Sequence, residues 1–335
     1  MNNSALKELL KEYDTKRLKA EEDLASRKAE LYHSIPRLQE IESELNKTAI
    51  GTAKSILISG NSEQINILKE KIEILNKERD SLLSKIGKDE SYLKPHYECS
   101  ICNDTGYIRK GSTTIMCNCL KQALFDLEFN KSNISNLKNQ DFKHFNINYY
   151  SSKINEEKYK SDISPRENIK IITDIANSFI VNFNDPEEKN LLFTGNTGLG
   201  KTFLTNCIAN EILKKKKTVL YQTAPVMLDE IINAKFGKNS MDNIYNNILD
   251  VDLLIIDDLG TECMNSMKFS ELFTIINTRI LCNGNKVTKT IISTNLNLQN
   301  LFSMYDERII SRIVGHYNIC RFFGDDIRFI KNKTL

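Results

Sequence analysis

The residues best suited to chemistry form a glycine-rich loop at positions 195–202 (the P-loop). Glycines at three of its positions permit positive φ and let backbone amides approach phosphates closely. Lys201 can reach the β and γ phosphates, and the Thr202 hydroxyl can ligate Mg²⁺. The loop follows a strand-like run, precedes a helical run and fits GxxxxGK[ST]: Gly195, Asn196, Thr197, Gly198, Leu199, Gly200, Lys201 and Thr202. The pattern predicts a site for a nucleoside triphosphate with Mg²⁺.

A second group of polar residues follows two other apolar runs. Asp257 and Asp258 come directly after four apolar residues, and Asn295 ends the run TIISTN. Open α/β sheets bind ligands at the carboxyl ends of their strands. We expect Asp257 on the Mg²⁺ side, Asp258 as general base for the attacking water and Asn295 at the γ phosphate. The alternative for the aspartate pair is a helix cap with a solvated turn. The alternative for Asn295 is an ordinary polar residue at the end of a strand.

Three arginines near the C-terminus could act on the same phosphates. Arg308 and Arg312 are four residues apart and share one helix face. Such an arginine can stabilise a transferred phosphoryl group in a neighbouring subunit, which makes hydrolysis depend on assembly. The alternative is a surface pair meeting Asp306 or Glu307. Arg328 could serve the nucleotide of its own chain, or it could be a solvated tail residue.

Four of the eight cysteines are crowded into one segment. Cys99, Cys102, Cys117 and Cys119 form a CxxC and a CxC pair. Four thiolates match the tetrahedral coordination of structural zinc, and their spacing favours Zn²⁺. An Fe–S cluster and free or redox-active thiols are the alternatives. His96 and His144 are possible substitute ligands.

Composition limits the class of protein. The 335 residues include 46 Lys+Arg and 44 Asp+Glu, and a net charge of +2 argues against a wholesale polyanion binder. The length suggests about two domains, and 40% hydrophobic residues can form a substantial core. The sequence has no signal-like N-terminus and no apolar run long enough to span a membrane, so we expect a cytoplasmic protein without membrane contact.

The first part of the chain, residues 1–94, is predicted to be helical and coiled-coil-like. Its apolar residues recur at helical spacing, which places them on one stripe of each helix. Pro36 should kink or restart the first helix, and 48–62 should be a turn between two antiparallel helices. The segment is either a simple helical hairpin with a solvated face or a docking element for a partner or a second copy.

The rest of the chain divides into a cysteine module at 95–125, a connector at 126–168 and an α/β domain at 169–335. Short apolar runs alternate with helical patterns there, as in a parallel sheet covered on both faces. The predicted strands are 190–195, 218–223, 252–258, 289–295 and 319–324. The fold class is therefore α/β, with a five-stranded parallel P-loop core behind helices and a small zinc module.

Together, GNTGLGKT, LLIIDDLG, IISTN, ERIISRI and FFGDDIR resemble the AAA+ ATPases of the bacterial replicative-helicase loader family (DnaC/DnaI-like) and the related IstB-like ATPases. The resemblance covers about 140–335. It implies binding of ATP and Mg²⁺ by Lys201 and Thr202, an arginine finger at Arg312 with Arg308 as second choice, and a sensor arginine at Arg328. It also implies that Phe142 and Phe145 pack against the ATPase core.

The resemblance implies a function too. A helicase loader would bind a DnaB-family replicative helicase and single-stranded DNA, and would act as a homo-oligomer whose ATP hydrolysis is weak and modulated by DNA. The alternatives are a transposition ATPase that binds duplex DNA and recruits a transposase, and an ATP-binding scaffold with little turnover.

Overall fold

The computed structural model describes residues 3–58, 62–128, 140–236, 241–263, 265–281 and 286–331. The chain divides into two compact units: one is Lys7–Cys117, and the other is Asn118–Leu335 together with Met1–Leu6. Within the described ranges, none of the helices combines the length and apolar character that crossing a membrane requires. The four-segment division of the sequence stays a prediction.

Three long helices begin the chain, as the apolar spacing predicted. They are α1 (Asn3–Ser34), α2 (Pro36–Ile58) and α3 (Ser62–Lys85). Pro36 starts the second helix because proline is tolerated in a first helical turn, where its missing N–H leaves no acceptor unpaired. The Arg37 guanidinium donates to Glu40, Glu44 and Glu78, which links α2 to α3.

The predicted turn at 48–62 was wrong over most of its length. Helix α2 continues through this stretch to Ile58, and residues 59–61 lie outside the described part of the chain. A glycine inside a helix costs only about 1 kcal/mol relative to alanine, so Gly51 does not end α2. Thr48 also lies within α2, where its hydroxyl donates to the Glu44 carbonyl one turn earlier at 2.7 Å.

A short hairpin follows the helices. A 3₁₀ turn at Glu90–Leu93 precedes antiparallel strands β1 (Tyr107–Lys110) and β2 (Thr113–Met116). The two pairs of crowded cysteines flank this hairpin in sequence.

The second unit is an α/β layer structure. Its strands are β3 (Asn190–Thr194), β4 (Val219–Thr223), β5 (Leu253–Leu259), β6 (Lys289–Thr294) and β7 (Tyr317–Arg321). Its helices are α4 (Asn118–Glu128), α5 (Glu156–Tyr159), α6 (Pro165–Val181), α7 (Lys201–Lys214), α8 (Ala224–Phe236), α9 (Met241–Asp250), α10 (Ser266–Leu281), α11 (Leu298–Met304), α12 (Glu307–His316) and α13 (Ile327–Lys331).

The sheet has the order β4-β5-β6-β3-β7, and every neighbouring pair is parallel. Alternate strand residues enter two separate apolar clusters, one on each face. The predicted α/β fold with a five-stranded parallel sheet is therefore confirmed. The last strand is displaced from its predicted position: it runs from Tyr317 to Arg321 instead of 319–324, because α12 passes directly into it at His316.

Helix α4 covers the edge strand β4. Leu120, Leu124 and Phe125 are buried, and the Gln122 side chain both accepts from the Val219 amide at 2.7 Å and donates to its carbonyl at 2.9 Å. The side-chain amide thus pairs with backbone groups at the free edge of the sheet, which would otherwise be open to pairing with another chain.

Candidate nucleotide and metal sites

The P-loop joins the buried strand β3 to helix α7. Gly200 caps α7 with φ +88°, a left-handed conformation that favours glycine. Gly195 has φ +138°, and a Cβ there would lie 2.2 Å from the Phe322 carbonyl oxygen. Both glycines are therefore required by the protein's own packing. The loop presents the first amides of α7 at its end, where the positive end of the helix dipole favours phosphate.

Lys201 is buried, with 5% of its surface exposed. Its Nζ donates to the Gly195 carbonyl at 2.6 Å, to the Asn196 carbonyl at 2.8 Å and to Oδ1 of Asn295 at 2.7 Å. Burial lowers the pKa of Lys201 to about 8, against the opposing effect of the nearby Asp258 and Asp257 carboxylates. The ammonium is thus held at the pocket by acceptors that phosphate oxygens can replace.

Asp257 lies at the centre of a hydrogen-bond network at the end of β5. Its carboxylate accepts from the Tyr221 and Ser293 hydroxyls, from the Thr202 hydroxyl at 3.4 Å and from the Asp258 amide at 3.0 Å. Asp257 is only 4% exposed. Thr202 and Asp257, the predicted Mg²⁺ residues, are therefore neighbours, and their oxygens are the ligand type that Mg²⁺ prefers.

Asp258 adopts a left-handed backbone conformation with φ +53°. The β5–β6 register is irregular between Ile256 and Leu259, so Asp258 lies at a bulge-like irregularity within β5. Burial and the neighbouring Asp257 raise the pKa of the Asp258 carboxyl. Nδ2 of Asn295 donates to Oδ1 of Asp258 at 3.3 Å. A non-glycine residue in this conformation often marks a functional site.

Residues 197–202 of the P-loop, Asp258 and Asn295 line a pocket of 490 Å³. One wall comes from the connector, which contributes His144, Phe145 and Tyr149, and Arg328 lies on the rim near Lys201. Phe142 and Phe145 pack against the core cluster, as the resemblance implied. The pocket is large enough for a nucleotide, and it combines aromatic side chains with a cluster of charges around the P-loop.

The two arginines of α12 differ in their surroundings. Arg308 donates to both carboxylate oxygens of Asp306, at 2.9 and 3.1 Å, and its side chain is 73% exposed. Arg312 is half-buried and makes no hydrogen bond or ion pair with any described residue. Neither arginine lines the pocket of its own chain. The surface pair considered for Arg308 is therefore present, whereas Arg312 has no such partner within the described part of the chain.

The cysteine segment brings four thiols together. The Sγ atoms of Cys99, Cys102, Cys117 and Cys119 all lie within 4.8 Å of one another, and those of Cys99 and Cys117 are 3.9 Å apart. Tetrahedral zinc with bonds of about 2.3 Å requires sulfur atoms ~3.8 Å apart, so the set fits zinc. The buried Asp104 carboxylate accepts from the Cys99 and Glu98 amides at 2.8 Å and fixes the first turn.

The two histidines are not part of that cluster. His96 is exposed, and Nδ1 of His144 lies 2.6 Å from Oδ1 of Asp141, next to the nucleotide pocket. The four cysteines are therefore a complete ligand set among the described residues.

Three residues near the pocket were not identified from the sequence: Tyr150, Tyr221 and Ser293. The Tyr150 hydroxyl donates to the Leu199 carbonyl in the P-loop at 2.9 Å, and the other two hold Asp257. Tyr221 and Ser293 carry hydroxyl groups at buried positions within β4 and β6. That position was the available signal, since such residues must find a buried partner.

Residues 142–334, more than half of the chain, match the family described as IstB-like ATP binding protein. The replicative helicase loader DnaC of Escherichia coli (strain K12) is 27% identical over 139 residues, which are 41% of this chain and 55% of that protein. The chromosomal replication initiator protein DnaA of Buchnera aphidicola subsp. Cinara cedri (strain Cc) is 29% identical over 150 residues, which are 44% of this chain and 30% of that protein.

A solved structure of the DnaC helicase loader has a TM-score of 0.43 and 22% identity, with 56% of this chain and 98% of that chain covered. The chain spans about a third of the length of the DnaA relative and just over half of the length of the DnaC relative. The resemblance inferred from the sequence motifs is confirmed by the family match. Because that match covers more than half of the residues, the chain belongs to the IstB-like ATP-binding protein family.

Proposed function

We propose that this protein is a Mg²⁺-dependent ATPase that loads a DnaB-family replicative helicase onto single-stranded DNA. The observation that carries the proposal is the convergence of Lys201, Asp258 and Asn295 on one pocket beside the P-loop, with Asp257 hydrogen-bonded to Thr202 next to it. Relatives named as helicase loaders support the choice of partner.

The pocket residues divide the chemistry among them. Lys201 exchanges its protein acceptors for the β and γ phosphate oxygens of ATP. Thr202 and Asp257 would hold Mg²⁺, which neutralises charge on the phosphates. Asp258 accepts the proton of the attacking water, and its raised pKa suits that role. Asn295, which contacts both Lys201 and Asp258, orients the water at the γ phosphate.

Hydrolysis is completed by a second copy of the chain. Arg312 has no partner among the described residues and lies away from its own pocket, so we assign it as the finger that enters the neighbour's site. A protein working in this way is a homo-oligomer with weak ATPase activity as a monomer. DNA that orders the oligomer then raises the rate.

The cysteine segment holds a structural zinc. With all four positions taken by thiolates, no metal-bound water remains, so this metal stabilises the fold and takes no part in the reaction. The zinc segment and the helices before it supply the surface for the helicase. We assign that role to Lys7–Cys117, since these residues precede the part that matches the ATP-binding family.

The alternative is a transposition ATPase that binds duplex DNA and recruits a transposase. The family description supports it as directly as it supports a loader, because both use the same core. An ATP-binding scaffold with little turnover is the other alternative. A substantial rate of ATP hydrolysis that increases with DNA argues against the scaffold.

A loading assay with the full chain separates the two DNA-dependent functions. The host's replicative helicase is incubated with circular single-stranded DNA, ATP and the protein, and helicase bound to the circles is measured after gel filtration. Loading that needs both ATP and the protein supports the proposal. Retention on duplex DNA without any helicase on the circles favours the transposition function.

A further inference from the structure

The C-terminal tail, residues 322–331, is bonded directly to the P-loop and the strand before it. The Phe322 amide donates to the Thr194 carbonyl at 2.7 Å, and the Ile327 amide donates to the Gly198 carbonyl at 2.9 Å. These two bonds attach the tail at the beginning and in the middle of the phosphate-binding segment. The position of the tail therefore depends on the conformation of the loop.

The Asp326 side chain packs directly against the P-loop at Gly198. A Cβ placed on Gly198, whose φ is +76°, would lie 2.1 Å from Cγ of Asp326. The absence of a side chain at position 198 thus makes room for a carboxylate from the tail. Glycine is therefore needed at position 198 for two reasons: the positive φ, and the space that the Asp326 side chain occupies.

The same carboxylate fixes the residue that faces the nucleotide. Oδ1 of Asp326 accepts from the Arg328 amide at 2.9 Å, and the Asp326 carbonyl accepts from the Phe329 amide at 3.2 Å. Arg328 lines the pocket, close enough to Lys201 to lower the pKa of that ammonium. Asp326 is therefore placed between the P-loop and Arg328 and contacts both.

Neighbouring residues hold this arrangement in place. The Ile327 side chain packs against the core cluster, and the buried Tyr150 donates to the Leu199 carbonyl at 2.9 Å. A Cβ on Gly200 would lie 2.6 Å from the Tyr150 hydroxyl. The tail thus contacts the loop at Gly195 and Gly198, and Tyr150 of the connector contacts it at Leu199 and Gly200.

We propose that Asp326 is a positioning residue that couples the conformation of the P-loop to the placement of Arg328 at the phosphates. The proposal rests on the proposed ATPase function. Because the P-loop itself holds residues 322–331 in place, these residues can deliver an arginine to the nucleotide of their own chain. ATP, by fixing the loop, also fixes the tail.

Four variants of the full chain test this coupling through ATP affinity, measured with a fluorescent ATP analogue in Mg²⁺. We expect Asp326→Ala and Arg328→Ala each to weaken binding about fivefold or more, and the double variant to be no weaker than Arg328→Ala alone. Asp325→Ala is the matched control. Asp325 has the same charge one residue earlier, but its partner is Lys158 in an exposed ion pair at 2.5 Å.

A conservative variant separates positioning from simple loss of charge. Asp326→Asn retains an oxygen that can accept from the Arg328 amide, so its ATP affinity should stay within about twofold of that of the unmodified chain. In the unmodified chain, ATP should slow hydrogen exchange of the Ile327 amide, because that amide donates to the P-loop. This measurement needs no variant and so does not depend on the folding of any substituted chain.

Two results would overturn the coupling while the unmodified chain still binds ATP. One is full ATP affinity in Asp326→Ala, and the other is an effect of Asp326→Ala that adds to that of Arg328→Ala. Unchanged exchange at Ile327 on ATP binding would also count against it. Absence of ATP binding by the unmodified chain would instead overturn the proposed function, so the two failures are distinct.

Discussion

The Lys201 ammonium donates a 2.7 Å hydrogen bond to Oδ1 of Asn295, and this bond links the P-loop to the end of β6. Two more acceptors, the Gly195 and Asn196 carbonyls, complete the set around the ammonium. All three are neutral oxygens in a buried place. Burial outweighs the attraction of the nearby Asp258 and Asp257 carboxylates, which explains why the pKa of Lys201 is lowered to about 8.

ATP affinity should fall as the pH rises above about 8. Below that pH, Lys201 is charged before ATP binds; above it, the empty site is neutral, and binding must take up a proton because the phosphates favour the ammonium. Without ATP, the free energy of unfolding should depend on pH with the opposite sign to that of a lysine whose pKa is raised on folding. The lowered folded-state pKa destabilises the chain below pH 8, and that penalty is relieved as the pH rises towards 10.5.

Calorimetry in two buffers of different ionisation enthalpy counts these protons. We expect uptake near zero at pH 7 and close to one at pH 9. In Asp258→Asn the onset should move to lower pH, since the Asp258 carboxylate raises the pKa of Lys201. Equal proton uptake at both pH values would show that Lys201 does not titrate in this range.

Loss of the Asp258 charge should affect turnover, whereas replacement by glutamate should affect stability. Asp258→Asn should bind ATP normally and lower turnover about 100-fold, because the base is lost while the left-handed backbone remains acceptable to asparagine. Asp258→Glu keeps a carboxylate but places a residue poorly suited to φ +53° there, at roughly 1 kcal/mol of unfolding free energy. Single-turnover hydrolysis and thermal unfolding measure the two effects, and normal turnover in Asp258→Asn would exclude it as the base.

Arg312, and not Arg308, should be needed for hydrolysis in trans. Arg312→Ala should lower the ATPase rate about 10³-fold with ATP binding retained. Arg308→Ala should change the rate little, because that guanidinium is occupied by Asp306. Mixing Arg312→Ala with Lys201→Ala should restore activity, since each supplies what the other lacks. An inactive mixture, or equal losses in the two arginine variants, would contradict the assignment.

The sequence predicted the main elements of the site because their signals are local. The predicted strands are short, largely apolar runs bounded by polar or turn residues, and parallel strands place their carboxyl ends at one edge. The sequence alone therefore places Asp257, Asp258 and Asn295 in one group. Their roles in the reaction remain predictions.

Other features depend on contacts that no local pattern contains. Tyr221 reaches Asp257 because β4 and β5 pair with Thr223 opposite Asp257, and that register is set by packing of the whole sheet. The place of Asp326 against Gly198 depends on a bond between residues far apart in sequence. Helix α2 passes through Gly51 for a similar reason, since α2 packs along α3 and this contact outweighs local propensity.

The cysteine segment should contain one zinc ion per chain. Elemental analysis of the purified protein should find zinc near one equivalent, and Cys102→Ser should reduce it well below that value, because three thiolates hold zinc less tightly than four. Cys263→Ser is the control, since this exposed thiol lies outside the cluster. Iron with sulfide, or a metal content that Cys102→Ser leaves unchanged, would refute the zinc assignment.

Equilibrium binding of ATP to the full chain in Mg²⁺, compared between the unmodified protein and Lys201→Ala, tests the central claim most directly. The account predicts saturable binding with one site per chain, weakened at least about tenfold by the substitution, because the ammonium contacts the phosphates. Asn300→Ala, on the exposed face of α11, should bind as the unmodified protein does. No measurable affinity in the unmodified protein, or equal affinity after Lys201→Ala, would contradict the account.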